Sequence, residues 1–272
     1  MNSTVLITGA TSGIGKELSY RFAEKKYQLV LIGRNEEKLN HLCKEITLKY
    51  SIQPYGICVD LLEKDSCSKI YNKTKELNVN VDILLNVAGL GVYDNFLDRD
   101  MKDHQELLEV NIKSLVTLSH LFGQDMKKRN YGYIINFSSI SGFFPGPYMS
   151  TYYASKAFVL SFSIALAEEL KPFNVSVLAL CPGVIQTPFY VKAKADIAHS
   201  YLLQRMKPNS VCWVSKKIIK MISKKKTGYR VIGLKNKLLI FISRSFPKKL
   251  LGKIIVFIQA KKIEELVHHQ NV

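Results

Sequence analysis

Short apolar segments alternate with longer amphipathic segments along most of this chain, and this alternation constrains its fold most. The apolar segments are rich in Val, Ile and Leu at successive positions, which is typical of strands that helices cover on both faces. We predict strands at 4–8, 28–32, 55–59, 82–86, 132–137 and 175–180, and helices that start near Gly13, Glu36, Lys64, Met101, Thr151 and Pro188. The repeated β-α order predicts an α/β fold: a doubly wound parallel sheet, the Rossmann arrangement, with helices on both faces.

The cysteines and the apolar segments exclude several other classes of protein. The five cysteines are scattered and form no C-x-x-C pair, so we predict neither a disulfide framework nor a metal site. The first residues enter a strand-like segment without a basic stretch or a cleavage site, so no secretory signal is expected. No apolar stretch approaches the roughly 20 residues that span a bilayer. We therefore expect a cytoplasmic protein.

The net charge of +17 is concentrated in one part of the chain. Between Ile197 and Ile263 there are 17 Lys and Arg and no Asp or Glu. The remaining 22 basic residues match the 22 acidic ones. The chain therefore consists of an electrically neutral body and a basic C-terminal quarter.

Three glycines directly follow the first predicted strand. Gly9, Gly13 and Gly15 are spaced G-x-x-x-G-x-G and precede an amphipathic helix. Glycines at a strand-to-helix junction allow a tight turn, and the N–H groups at the helix N-terminus attract an anion. The motif therefore indicates a site for the pyrophosphate of a dinucleotide, although the glycines alone also fit a purely structural turn.

Further motifs occur downstream in a fixed order. They are Asp60 after the third predicted strand, Asn86-Val87-Ala88-Gly89, Asn111, the pair Ser138-Ser139, Tyr152-x-x-x-Lys156, and Pro182-Gly183 with Thr187. With the glycine motif that starts at Thr8, this series resembles the short-chain dehydrogenase/reductase family over about 190 residues. The resemblance implies a hydride transfer between a nicotinamide and a carbonyl or alcohol carbon.

The spacing of Tyr152 and Lys156 supports this chemistry independently. Residues four apart lie on one face of a helix, so the lysine ammonium would stabilise the phenolate of Tyr152. Of the two adjacent tyrosines, only Tyr152 lies four residues before Lys156. The resemblance implies catalytic roles for Asn111, Ser139, Tyr152 and Lys156: Tyr152 as proton donor, Ser139 as a hydrogen-bond donor to the substrate oxygen, and Asn111 as the holder of a relay water. An ordinary polar helix residue is the alternative for Asn111.

The end of the second strand bears on the choice of cofactor. An acidic residue there binds the ribose of NAD, but this chain has Gly33, followed by Arg34, whose guanidinium suits a phosphate. We therefore predict NADP, with NAD less favoured, although a solvated arginine is the alternative. The predicted cofactor-binding residues are Thr8, Gly9, Ser12, Gly13, Ile14, Gly15, Arg34, Asp60, Asn86, Ala88, Gly89, Tyr152, Lys156, Pro182, Gly183 and Thr187.

The last third of the chain is outside these motifs. We expect a substrate lid at 188–208, where apolar residues favour a hydrophobic ketone such as a 3-oxoacyl thioester or a steroid-like ketone: Phe189, Tyr190, Tyr201, Leu202 and Leu203. The alternative is that these residues simply pack the lid down. Lys192 and Lys194 would suit coenzyme A or an acyl carrier, or they are simply solvated. A helix is predicted at 213–223, a last strand at 229–232, and basic apolar helices at 235–245 and 248–262.

These basic helices leave three interpretations open. They would lie on an anionic membrane surface, cover the substrate pocket or form an oligomer contact. A nucleic-acid partner is not predicted, because no binding fold accompanies the charge. We assign 1–190 to a dinucleotide-binding and catalytic core and 191–272 to the lid, last strand and basic helices of the same domain. The predicted protein is an NADP-dependent oxidoreductase and, as the resemblance implies, a homo-oligomer. A catalytically silent NADP-binding regulatory or membrane-associated scaffold protein is the alternative.

Overall fold

A parallel sheet of seven strands forms the centre of the molecule in a computed structural model that describes residues 3–189 and 208–260. The strands are β1 Thr4–Thr8, β2 Gln28–Gly33, β3 Tyr55–Cys58, β4 Ile83–Asn86, β5 Gly132–Phe137, β6 Val175–Cys181 and β7 Gly228–Val231. Their spatial order is β3-β2-β1-β4-β5-β6-β7, and every neighbouring pair is parallel. The predicted doubly wound parallel sheet is confirmed.

Helices connect the strands and cover the sheet. They are α1 Gly13–Glu24, α2 Glu36–Tyr50, α3 Ser66–Glu76, α4 Met101–Leu108, α5 Ser114–Lys128, α6 Ser150–Leu170, α7 Val211–Ser223, α8 Leu234–Ser243 and α9 Lys248–Ala260. A π-helical turn, Glu109–Lys113, joins α4 to α5, and 3₁₀ turns occur at Ile140–Phe143 and Lys171–Phe173.

Alternate residues of each strand pack into different apolar layers. Ile7 of β1 and Leu31 of β2 pack with α1, α2 and α7 on one face of the sheet. Leu6 of β1 and Ile134 of β5 pack with α3, α5 and α6 on the other face. Helices therefore bury both faces of the sheet, which explains why the strands are apolar at successive positions.

Three elements differ from the sequence-based expectation. The helix predicted from Met101 onward is interrupted by the π-helical turn Glu109–Lys113. α3 starts at Ser66 instead of near Lys64, because 60–66 forms backbone-bonded turns and Asp65 has a left-handed conformation (φ 63°). The 3₁₀ turn at Ile140–Phe143 has no counterpart in the prediction.

Most of the predicted lid lies outside the described residues. This applies to Tyr190, Lys192, Lys194, Tyr201, Leu202 and Leu203, and to the last residues of the predicted helix 248–262. Among the helices of the two described ranges, none combines the length and the apolar character needed to cross a bilayer.

The order of the strands positions the site. From β1 the chain continues to β2 on one side, whereas β4 lies on the other side of β1. The loops after β1 and β4 therefore diverge and leave a crevice at the carboxyl ends of these strands, where ligands of open α/β sheets bind.

Candidate active site

A cleft of about 260 Å³ occupies this crevice. Its walls come from the glycine loop after β1, the ends of β2, β4, β5 and β6, and the first turns of α6. The predicted site residues that line it are Gly9, Ser12, Gly13, Ile14, Gly15, Arg34, Asp60, Ala88, Gly89, Ser139, Tyr152, Lys156, Pro182, Gly183 and Thr187. The fold thus brings most of the predicted residues to one surface.

The glycine loop folds tightly enough to receive a pyrophosphate. Gly9 and Gly13 have positive φ angles of 66° and 51°, which strain any other residue. A Cβ atom on Gly15 would lie 2.3 Å from the carbonyl oxygen of Gly9. A Cβ atom on Gly13 would lie 3.1 Å from Thr187 across the cleft. The N-terminus of α1 is therefore open to an anion between the loop and Thr187, which fits a bound dinucleotide.

Thr8 and Asn86 hold this wall from behind and do not line the cleft. The Thr8 hydroxyl accepts hydrogen bonds from the backbone N–H groups of Val87 (3.0 Å) and Ala88 (3.1 Å). The Asn86 amide donates to Asn136 Oδ1 (2.8 Å) and is buried. These contacts tie β1, β4 and β5 together at their carboxyl ends, so both residues act on the shape of the cleft through the backbone.

Lys156 lies almost completely inside the protein. Its exposed fraction is 5%, and its ammonium donates a hydrogen bond to the carbonyl of Phe137 at 2.8 Å. Burial disfavours the charged form and lowers the pKa of Lys156 to about 8. The ammonium lies 5.7 Å from the centre of the Tyr152 ring, one helical turn earlier. A positive charge is therefore held beneath the phenol at neutral pH.

The end of β5 carries the two serines. Ser139 Oγ accepts a hydrogen bond from the backbone N–H of Ser141 at 3.1 Å. The Ser139 hydroxyl also donates a hydrogen bond to Ser141 Oγ at 3.2 Å. Ser138 donates to the carbonyl of Lys156 at 2.7 Å and so fixes α6 against the strand. Gly142 permits this contact, because a Cβ atom there would lie 2.7 Å from the same carbonyl oxygen.

Asn111 is located in the π-helical turn and outside the cleft lining. Its side chain donates to the carbonyl of Leu90 (2.9 Å) and to Ser155 Oγ (3.1 Å). It also accepts from the backbone N–H of Leu90 at 2.8 Å. Asn111 therefore locks the loop after β4 onto α6. The relay water predicted for it stays a prediction.

The end of β2 has no room for an acidic side chain. A Cβ atom on Gly33 would lie 2.6 Å from Thr11 Cγ2. Arg34 follows, with its side chain 59% exposed and its Nη1 3.5 Å from Asp60 Oδ2. An exposed pair at this distance is weak, so Arg34 is available to another anion.

The family model of the short chain dehydrogenases matches residues 3–198. The chain belongs to this family. As a short-chain dehydrogenase it is an oxidoreductase that uses NAD(P) and acts on CH–OH or C=O groups. The residues after 198 lie outside the match, so the basic C-terminal helices are not explained by it.

Several short-chain dehydrogenases resemble this chain closely. A 3-oxoacyl-(acyl-carrier-protein) reductase of Aquifex aeolicus is 31% identical over 196 residues, which are 72% of this chain and 79% of the relative. A sulfoacetaldehyde reductase of Chromohalobacter salexigens is 33% identical over 208 residues, 75% of this chain and 82% of the relative. A solved short-chain dehydrogenase from Sphingobium yanoikuyae in complex with NADPH superposes with a TM-score of 0.79 at 24% identity, covering 90% and 96% of the two chains.

Some residues of the site in this short-chain dehydrogenase give no recognisable sequence signal. Thr11 and Gly142 pack closely against residues that are distant in sequence. Asn136 and Ser155 form hydrogen bonds with residues that are distant in sequence. Phe189 belongs to the predicted lid, and its ring centre lies 5.3 Å from that of Tyr152. Only the polar side chain inside the apolar strand β5, that of Asn136, gives a hint in the sequence.

Proposed function

We propose that this chain is an NADPH-dependent carbonyl reductase that reduces a hydrophobic ketone, with a 3-oxoacyl thioester or a steroid-like ketone as substrate. The observation that carries this proposal is the placement of Ser139, Tyr152 and buried Lys156 in one cleft with the glycine loop. A binding protein has no need of a buried lysine beneath a tyrosine at this point.

The choice of NADPH is supported by Gly33, Thr11 and Arg34. Thr11 fills the space that an acidic side chain at position 33 would need. The exposed guanidinium of Arg34 lines the same end of the cleft and would bind the ribose phosphate of NADPH through a charge-assisted hydrogen bond. Asp60 would then hold Arg34 in position from the opposite side.

Three side chains would carry out the proton chemistry. The nicotinamide, when bound, supplies the hydride that reaches the carbonyl carbon. Tyr152 donates its phenolic proton to the carbonyl oxygen, and the ammonium of Lys156 stabilises the phenolate that remains. Ser139 redirects its hydroxyl from Ser141 to the same oxygen and stabilises the negative charge that develops there.

The apolar character of the cleft supports a hydrophobic substrate. Leu90, Ile185 and Phe189 line it together with Tyr152. The Phe189 ring beside the Tyr152 ring would contact a chain or ring attached to the reacting carbonyl. The name of the Aquifex aeolicus relative supports a 3-oxoacyl thioester, whereas that of the Chromohalobacter salexigens relative indicates a small charged aldehyde. The apolar lining favours the first.

We also propose that the enzyme is a homo-oligomer. The helix α6 exposes Phe158 (41%) and Ile164 (39%), and Phe158 stacks on Phe162 with ring centres 5.8 Å apart. A second copy would cover this apolar face. Light scattering should then give a multiple of the chain mass, and Phe158→Ser should lower it, whereas a monomeric wild-type protein would contradict the proposal.

The substrate proposal is tested by the oxidation of NADPH with a panel of carbonyl compounds. The panel contains 3-oxoacyl-CoA esters of increasing chain length, a steroid ketone and sulfoacetaldehyde. We expect kcat/KM to increase with chain length and to be lowest for sulfoacetaldehyde. A preference for sulfoacetaldehyde would refute the hydrophobic substrate. Tight NADPH binding without turnover of any compound would favour the catalytically silent binding protein.

A further inference from the structure

The helix α8 is arranged with its apolar side chains outward. Its buried residues are Asn236, Ile240 and Ser243, two of which are polar. In contrast, Leu234, Leu238 and Phe241 are 82%, 58% and 72% exposed. Surface helices of globular proteins normally show the opposite arrangement. The outward face of α8 is therefore suited to contact an apolar environment other than its own core.

Cations border this apolar face on both sides. Successive residues of an α-helix are separated by about 100° around its axis. At this angle the side opposite the buried residues holds only apolar residues, namely Leu234, Leu238, Phe241 and Ile242. Lys237 lies at one edge of this sector and Lys235 at the other, and both are exposed. An apolar sector with lysines along both edges is typical of helices that lie in a membrane interface.

The next helix also exposes both apolar and basic residues. Leu250, Ile254 and Val256 of α9 are exposed apolar residues. Lys248, Lys249 and Lys253 are exposed in the same helix. Phe246, in the connection between the two helices, is also exposed. We call the exposed residues of 234–256 the tail surface.

The charge of the tail surface selects its partner. It holds six cations: Lys235, Lys237, Arg244, Lys248, Lys249 and Lys253. The described segment 208–260 contains no Asp or Glu. None of these six takes part in a salt bridge within the ranges 3–189 and 208–260. Two copies placed face to face would oppose like charges at every edge, which disfavours a dimer through this surface.

We propose that the tail surface docks the enzyme on membranes that contain anionic phospholipids. The apolar sector of α8 would enter the boundary between headgroups and acyl chains, and the lysines would contact lipid phosphates and carboxylates. This proposal concerns the location of the enzyme and does not depend on its substrate. A lipid bilayer would cover the exposed leucines and phenylalanines of the tail surface without the need for a complementary protein surface.

The tail surface is attached directly to the active site. Asn236, on the buried side of α8, packs closely on Gly183. A Cβ atom on Gly183 would lie 2.5 Å from Nδ2 of Asn236. Gly183 lines the cleft. Ile240 packs with Ile140, the residue after Ser139. A membrane-bound α8 therefore places the cleft within one helix diameter of the lipid.

Sedimentation with vesicles tests the proposal on the full chain. We expect the wild-type protein to sediment with vesicles of phosphatidylcholine and phosphatidylserine in equal parts, and much less with phosphatidylcholine alone. Added salt should release part of the protein because it screens the lysines. Equal sedimentation with both vesicles, or none with either, would overturn the proposal.

Matched variants separate the tail surface from the rest of the protein. Leu238→Ser with Phe241→Ser should reduce the bound fraction several-fold, and Lys235→Glu with Lys237→Glu, which lowers the positive charge of the tail surface, should reduce the preference for phosphatidylserine. The controls are Leu48→Ser, at an 87% exposed leucine of α2, and Lys44→Glu with Lys102→Glu, at exposed lysines of the body. Both controls should bind like the wild type.

Two outcomes in the variants would contradict the assignment. Equal losses in the tail variants and in the controls would show that binding is not specific to the tail surface. A change in oligomeric mass on light scattering, without a change in vesicle binding, would show that Leu238 and Phe241 form a subunit contact. Circular dichroism spectra that match the wild type confirm that the variants are folded.

Discussion

Replacement of Lys156 by methionine should change how stability depends on pH. The folded protein holds the pKa of Lys156 at about 8 by burial, whereas the ordinary value in an unfolded chain is near 10.5. Between these values the unfolded chain binds a proton that the folded protein does not bind. Each unit of difference corresponds to about 1.4 kcal/mol, so charged Lys156 costs about 3 kcal/mol at pH 7. The cost is fully present below about pH 8 and disappears as the pH rises towards 10.5.

The stability difference between the two proteins therefore depends on pH in a defined direction. Lys156→Met removes the cost of the buried charge. The free energy of unfolding of this variant, relative to that of the wild type, should therefore fall by about 2 kcal/mol between about pH 7 and pH 9.5. The lost hydrogen bond to Phe137 costs the variant about 1–3 kcal/mol, but this cost is nearly independent of pH because neutral lysine also donates. The prediction therefore concerns how the difference in free energy of unfolding changes with pH, and not the absolute value of this difference.

Urea unfolding at several pH values measures this difference. The fluorescence of Trp213, the only tryptophan of the chain, reports the transition. Lys102→Met, at an exposed position, is the control, and its difference from the wild type should stay constant with pH. If the difference for Lys156→Met also stays constant, the inference that Lys156 is charged against a burial penalty is wrong.

Four further substitutions test other parts of the site. Arg34→Ala should lower the ratio of kcat/KM for NADPH over NADH by about 10-fold to 100-fold, as expected for the loss of a charge-assisted hydrogen bond, and an unchanged ratio would contradict its role. Gly33→Ala should destabilise the protein by about 1–3 kcal/mol in urea unfolding, and Thr11→Ala should largely remove this effect; additive effects would refute the steric argument. Ser139→Ala should reduce kcat by about 10²-fold to 10³-fold with little change in the KM for NADPH, and full activity would exclude its role at the substrate oxygen.

Regular spacing made the sheet and the central residues of the site predictable. The strands follow from their apolar runs, and the glycine loop follows from its position between a strand and a helix. Tyr152 and Lys156 could be paired because four residues correspond to one helical turn. In each case the information lies within a few consecutive residues.

Contacts between distant segments were not predictable in the same way. Nothing in the sequence around Asn111 breaks the helix, yet its hydrogen bonds to the loop at Leu90 accompany a π-helical turn. Thr11 and Gly33 are 22 positions apart, and their steric relation depends on the pairing of β1 with β2. The basic helices had three interpretations because sequence periodicity does not tell which side of α8 faces the protein; the structure shows that side to be the one with Asn236.

Comparison of Tyr152→Phe with Tyr153→Phe tests the central claim most directly. The two tyrosines are adjacent, but only Tyr152 lines the cleft, whereas the Tyr153 ring packs against Gly146. With NADPH and the best ketone of the panel, Tyr152→Phe should lower kcat by at least about 10²-fold while NADPH binding stays close to that of the wild type. Tyr153→Phe should keep most of the activity. Full activity of Tyr152→Phe, or an equal loss in both variants, would contradict the assignment of Tyr152 as the proton donor.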